Sequence, residues 1–232
     1  MIQHNFSQIQ KALTALLQAQ GIELFAAGSV TAIKKDFLLA KEMDLEGIDY
    51  ALVLAYPLAS QVLAGIKDRP TLLYKHLYRQ ANNLLDRVAL QCATMFQQAG
   101  AKVLPIPASQ MVDWENNLGH LSHRQVAVEL GLGYYGRNNL LVTPQYGAQV
   151  RLVTILTGFP LDMPGPLKNQ EIDCGSCRAC VKACPVKAIH TGPQDFDRAA
   201  CFAQTREFEK IRGISTRICG ICVRACKPAI KK

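Results

Sequence analysis

No stretch of this sequence reaches the roughly 18 consecutive apolar residues that a membrane-crossing helix needs. The N-terminus also lacks the charged start, long apolar run and small-residue cleavage site of a secretory leader. The expectation is therefore a cytoplasmic protein, in a compartment where clustered thiols hold metal rather than form disulfides. Cysteine is nearly missing from residues 1–170, where Cys92 stands alone, so no thiolate framework can be built there. Acidic residues are scarce too, with 18 Asp and Glu against 26 Lys and Arg, a formal net charge of +8. Much of that excess lies in residues 171–232, which hold 12 Lys or Arg against 6 Asp or Glu. Ligating thiolates there would balance part of it, so the basic character is weak support for an RNA partner.

The other eight of the nine cysteines crowd into the last quarter. Four are spaced Cys174-x2-Cys177-x2-Cys180-x3-Cys184 with Pro185 next, the run by which bacterial ferredoxins bind cubane iron–sulfur clusters. Short spacings let one loop present three thiolates to three iron corners, while the fourth corner takes a thiolate from elsewhere. Two-cluster ferredoxins exchange their last cysteines, which predicts Cys174, Cys177, Cys180 and Cys226 around one cluster and Cys184, Cys201, Cys219 and Cys222 around the other. The second motif is degenerate: Thr216 stands three residues before Cys219, remote Cys201 supplies the missing ligand, and the proline after Cys226 is displaced to Pro228. The alternative is two tetrahedral zinc sites of four thiolates each, for which three cysteines at successive x2 spacing are atypical. A segment this short and cysteine-dense cannot bury a large apolar core, and metal binding would supply the missing stability.

Upstream the pattern is that of an ordinary domain of helices and strands. A helix is expected over 3–20 with Gly21 closing it, a strand over 22–27, helix plus loop over 29–47, and a strand buried on both faces over 50–56. A long helix over 71–98 follows from apolar positions recurring at three and four, with Pro70 before it and Gly100 after. Cys92 falls on that apolar stripe and reads as an inert core residue. Strands over 101–105 and 150–157 flank a helix over 122–130, and Pro160, Pro164 and Pro166 with Gly158 and Gly165 mark a linker. The domain boundary is expected near residue 165, giving 1–165 and 166–232.

Between the last helix and the linker lies Gly131-Leu-Gly133-Tyr134-Tyr135-Gly136-Arg137-Asn138-Asn139-Leu140-Leu141. Three glycines in six residues permit close backbone approach, and Arg137, Asn138 and Asn139 offer donors to phosphate, amide or carbonyl groups. The competing reading is that the glycines serve only a tight turn or packing.

Joined to the cysteine module, the stretch from His123 to Leu156 resembles the epoxyqueuosine reductase family, whose core runs Ala-Gly-Leu-Gly-x-x-Gly-Lys-Asn-x-Leu-Leu, a strand, then an eight-cysteine module with an isolated cysteine between its motifs. Corrinoid reductive dehalogenases are more distant relatives. The resemblance implies an α+β architecture, with an N-terminal α/β domain of nitroreductase and reductive-dehalogenase type followed by a two-[4Fe–4S] ferredoxin-like domain. It further implies a cobalamin held base-off between the domains, with Gly131, Gly133, Gly136, Arg137, Asn138 and Asn139 as cofactor-binding candidates. The reaction implied is reductive removal of oxygen from a modified tRNA base, with electrons from a flavodoxin- or ferredoxin-type donor.

The chain departs from that family in several places. Arg79, Gln80, Ala81 and Asn82 stand where the family has Arg-Asp-Tyr-His, and Ile106-Pro-Ala-Ser-Gln110 replaces the Asp-Ser-Ala-Pro context of its proposed proton-donating aspartate. These 232 residues also contain no counterpart of the helical-repeat segment by which many members grip tRNA. Cleaving a C–O bond leaves an oxyanion to protonate, so a general acid is needed. The local candidates are Asp113, Glu115, His120, His123, Tyr134 and Tyr135; a surface or capping role is the competing reading for the two histidines, and a solvated loop for the acids beside Trp114. The expectation is an iron–sulfur oxidoreductase of this type. The alternative is a non-catalytic ferredoxin-type protein that docks a partner enzyme.

Overall fold

The computed structural model describes residues 2–227. In chain order its elements are α1 (Ile2–Ala19), β1 (Leu24–Ser29), β2 (Tyr50–Pro57), α2 (Ser60–Ala64), α3 (Leu72–Gln98), β3 (Val103–Ile106), α4 (His123–Glu129), β4 (Tyr134–Tyr135), β5 (Leu141–Val142), β6 (Val150–Thr157), α5 (Ala179–Ala183), α6 (Arg198–Glu209) and α7 (Ile221–Ala225). Helix and sheet are mixed, as expected.

The expected strands over 50–56 and 150–157 become the inner strands of a four-stranded sheet of order β1-β2-β6-β3. Ala51 to Ala55 are all fully buried, the outcome that a run without polar alternation predicts. The outer strands pair antiparallel, β1 with β2 and β3 with β6. Strand β1 starts later than the expected 22, because the Ile22 N–H is taken by the Leu17 carbonyl at 2.9 Å and left-handed Gly21 turns the chain out of α1. The stretch 29–47 contributes only 3-10 turns at Lys34–Asp36 and Leu38–Lys41.

Helices α1 and α3 carry the matching apolar stripes. Leu13 and Leu17 from α1, and Leu85, Val88, Ala89, Cys92 and Phe96 from α3, pack with Leu52, Leu54, Val153 and Ile155 of the inner strands. Phe159 stacks between Phe6 and Phe96, with centroids 5.8 and 5.7 Å away. Cys92 is fully buried in this core, and burial pushes its thiol up to about 12, so it is unreactive at neutral pH.

The chain divides into two compact units that interleave along the sequence. One joins 1–56, 82–132 and 151–170; the other joins 57–81, 133–150 and 171–232. The chain enters the cysteine-bearing unit for the last time at Glu171. The linear reading did not contain the other two segments of that unit. Its short helices α5 and α7 pack on each other, and α2 packs on α7. Gly220, left-handed at φ +81°, leads into α7 with no room for a side chain: a Cβ there would sit 2.7 Å from Ile66 and from Tyr74. The two upstream segments thus form part of the bed on which the cysteine loops rest.

Candidate metal centres

Helices α5 and α7 are an internal repeat. Ala179-Cys-Val-Lys-Ala183 is followed by Cys184, and Ile221-Cys-Val-Arg-Ala225 by Cys226. In each, the cysteine after the helix donates its N–H to the cysteine inside it, Cys184 to Cys180 O and Cys226 to Cys222 O, both at 3.1 Å. Each sulfur that follows a helix accepts a backbone N–H from elsewhere: Ala188 donates to Cys184 Sγ at 3.3 Å and Ala148 to Cys226 Sγ at 3.4 Å. The equivalence sets Cys177 against Cys219 and Cys174 against Thr216, the degenerate position read from the sequence. Pro228 lies outside the described residues.

The charges that act on each thiol sort the cysteines. Cys226 is pushed up to about 11 by burial, and then by Cys180, Cys174 and Cys177. Cys201 rises to about 11 through burial, and then through Cys219 and Cys184. Burial raises Cys219, with Cys184 as its thiol neighbour, and raises Cys180, with Cys174 and Cys177 as its neighbours. Cys222 is raised by burial and then by Cys219, Cys201, Cys180 and Cys184, so thiols of both motifs act on it. Cys226 thus has Cys174, Cys177 and Cys180 acting on it, while Cys201 and Cys219 each have Cys184. Raised thiols of this kind stay protonated until a metal displaces the proton.

The donor set is sulfur throughout, which suits iron–sulfur clusters or zinc and argues against hard cations. Among the described residues no three or more His, Cys, Asp or Glu side chains converge on a single-ion site. A cubane takes its thiolates at four separate iron corners, a different geometric demand.

The glycine motif forms the β4–β5 hairpin, in which Tyr134 pairs with Val142 and Tyr135 with Leu141. Its glycines are filled by their own chain. A Cβ on Gly133 would meet Val142 O at 2.4 Å, one on Gly136 would meet Val142 Cγ2 at 2.6 Å, and one on Gly131 would meet the Lys168 backbone at 2.3 Å. Asn139 takes the left-handed turn position at φ 54°. Asn138 is buried, its Oδ1 accepting the Leu140 N–H at 3.3 Å while its Nδ2 has no hydrogen-bond partner among the described residues. Arg137 does not reach outward. Its guanidinium donates to three backbone carbonyls in the cysteine unit, those of Cys177, Gly175 and Thr191.

The acid candidates separate by environment. Asp113 caps a turn, accepting from the N–H groups of Asn116 and Glu115, and these bonds hold its carboxyl below its usual value, the wrong direction for an acid. Glu115 is exposed in the same turn. His120 has its Nδ1 3.6 Å from Glu42, beyond hydrogen-bonding distance. His123 is fully engaged. Its Nε2 lies 3.0 Å from Pro107 O, which can only accept, so the proton sits there and Nδ1 accepts from the Thr154 hydroxyl at 2.8 Å. Burial depresses its pKa to about 4. Tyr134 feels the cysteines: burial, then Cys174 and Cys226, pushes its phenol up to about 12, so it keeps its proton at neutral pH. Tyr135 pairs beside it in the hairpin.

The sequence reading missed the use to which the hairpin is put. The signal was there in Arg137 and in Gly147, whose Cβ would meet Cys226 O at 2.5 Å, but a glycine does not announce what it approaches.

No family model matches the chain. It is similar to the epoxyqueuosine reductase of Bacillus anthracis, 32% identical over 186 residues that cover 76% of this chain and 46% of that protein. The fold is shared with a reductive dehalogenase whose structure suggests a mechanism for B12-dependent dehalogenation (TM-score 0.62, 20% identity, 78% of this chain and 25% of that one). It is shared also with an epoxyqueuosine reductase in complex with an epoxyqueuosine-modified tRNA stem loop (TM-score 0.53, 22% identity, 85% and 56%). The resemblance to epoxyqueuosine reductases therefore holds over most of this chain, which itself spans about half the length of the curated relative it matches.

Proposed function

We propose that this protein is an iron–sulfur oxidoreductase that carries two [4Fe–4S] clusters, one on Cys174, Cys177, Cys180 and Cys226 and the other on Cys184, Cys201, Cys219 and Cys222. It delivers electrons from a flavodoxin- or ferredoxin-type donor to an acceptor cofactor, for which a corrinoid is our choice. The observation that carries this reading is the crossing of the motifs. Cys226 has the first motif's thiols as neighbours, and Cys184 neighbours Cys201 and Cys219 of the second set. Such an exchange suits two linked cubanes.

Bound clusters would supply one-electron transfer at low potential, and a corrinoid would supply the two-electron chemistry at the substrate. The chain's own residues hold the thiols in register, donate N–H groups to Cys184 and Cys226, and keep Tyr134 protonated beside the first group. Tyr134 is accordingly our candidate proton donor, and the buried Asn138 Nδ2 our candidate contact to the cofactor. A modified tRNA base, as in the tRNA-bound relative, is the substrate class that likeness favours.

Titrating cobalamin into the anaerobically reconstituted protein tests the acceptor. A saturable change in the visible corrinoid bands supports the reading. Unchanged bands at cobalamin excess exclude the corrinoid and leave the second reading, a ferredoxin-type carrier docking a partner enzyme, which the full set of eight thiols also favours.

A further inference from the structure

The side chain of Arg137 spends its donors on the backbone of the cysteine unit. Nε donates to Cys177 O at 3.1 Å, and the two terminal nitrogens donate to Gly175 O and Thr191 O. Two of these carbonyls lie within the Cys174-x2-Cys177 loop itself. The loop is shaped from the other side by Asp173, whose Oδ1 accepts the Gly175 N–H at 2.7 Å, and by Gly175 in the left-handed region at φ +49°. Thr191 is tied in turn to Asp195 through its hydroxyl.

Peptide geometry gives these contacts a consequence. In a planar trans peptide the C=O and the following N–H point in opposite senses. Turning the Gly175 and Cys177 carbonyls toward Arg137 therefore turns the Ser176 and Arg178 N–H groups away from it, on the side where a sulfur held by the loop could accept them. Hydrogen bonds to sulfur and nearby charge are the levers that set a cluster's potential. A guanidinium is always charged and its planar fork can serve several carbonyls at once, which an ammonium cannot do in the same geometry.

We propose that Arg137 is a positioning residue for the cluster on Cys174, Cys177, Cys180 and Cys226, and that it raises that cluster's reduction potential selectively. It does so by fixing the loop's N–H groups toward sulfur and by keeping one positive charge beside the more negative, reduced cluster. The assignment rests on the two-cluster reading, and it takes Arg137 out of the set of cofactor contacts.

The test is a potentiometric titration followed by electron paramagnetic resonance on the full chain, reconstituted anaerobically as wild type, Arg137→Gln and Arg137→Lys. Iron content is counted on each sample. In Arg137→Gln, one of the two reduced-cluster signals moves to lower potential by on the order of 59 mV, a tenfold change in the one-electron equilibrium. The other signal stays in place, and Arg137→Lys, which keeps the charge without the fork, falls between. If Arg137→Gln assembles only one cluster, the positioning role is supported, and a downward shift in Arg137→Lys supports the effect on potential. Full iron with both midpoints unmoved in both variants overturns the assignment while leaving the clusters in place. A wild-type protein without iron–sulfur signals overturns the cluster reading, and this assignment with it.

Discussion

The backbone N–H of Ala148 donates to the sulfur of Cys226 at 3.4 Å, and the glycine before it lies so close that any Cβ would collide with the Cys226 carbonyl. A residue far upstream in the sequence thereby serves the last ligand of the cysteine module. The same contact explains why Gly147 adopts φ +58° in a buried position.

Gly147→Ala should therefore damage the module locally. The strained φ and the blocked approach together cost roughly 1–3 kcal/mol. Iron per chain should fall toward one cluster's worth, while the far-ultraviolet circular dichroism of the sheet unit stays as in the wild type.

The two classes of cysteine predict opposite outcomes. Cys201→Ala removes an expected ligand and should halve the iron content. Cys92→Ala removes a buried sulfur in the α3 stripe, should retain all the iron, and should lower unfolding stability by about 1 kcal/mol. In the native wild type, Cys92 should resist alkylation by iodoacetamide until the sheet unit unfolds, because burial keeps its thiol protonated. Rapid labelling of Cys92 in the folded protein would contradict this.

His123 gives a pH dependence with a definite sign. Its folded pKa is about 4 against the ordinary imidazole value of 6.5, so below 6.5 the unfolded state binds a proton that the folded state refuses. Its contribution is present above pH 6.5 and is lost as the pH falls toward 4, by at most about 3 kcal/mol. Thermal unfolding of wild type and His123→Gln across this window should show the wild type losing stability more steeply. Parallel curves would remove His123 from the account.

The cysteine-bearing unit holds 17 Lys or Arg against 7 Asp or Glu, and the sheet unit 9 against 11. The positive excess thus belongs wholly to the unit that receives electrons in our reading. Reduction by an acidic flavodoxin- or ferredoxin-type donor should slow as ionic strength rises from about 0.01 to 0.15 M, where the Debye length drops from about 30 to 8 Å. Stopped-flow rates independent of salt would argue against docking on that unit.

Much of this was legible in the residues themselves. A continuous apolar run located the inner strand β2, and the three-and-four spacing from Tyr74 to Phe96 set the long helix nearly to its ends. Such patterns are local, and local periodicity is what a sequence displays. The cysteine spacing likewise showed the repeat, since Cys177, Cys180 and Cys184 recur as Cys219, Cys222 and Cys226. The roles of Arg137, Gly147 and Gly220 were not legible, since each is defined by a partner more than 35 residues away: Thr191, Cys226 and Tyr74. The short helices α2, α5 and α7 escaped too, because five residues are too few to show a period. Among the acid candidates, only placement separated Tyr134 from the capping Asp113 and the internally bonded His123.

The central claim, that eight thiols hold two cubanes, is tested most directly by counting metal and acid-labile sulfide in anaerobically purified protein. The account predicts about eight iron and eight sulfide per chain, the content of two [4Fe–4S] clusters. Zinc at about two per chain, with neither iron nor sulfide, would contradict it.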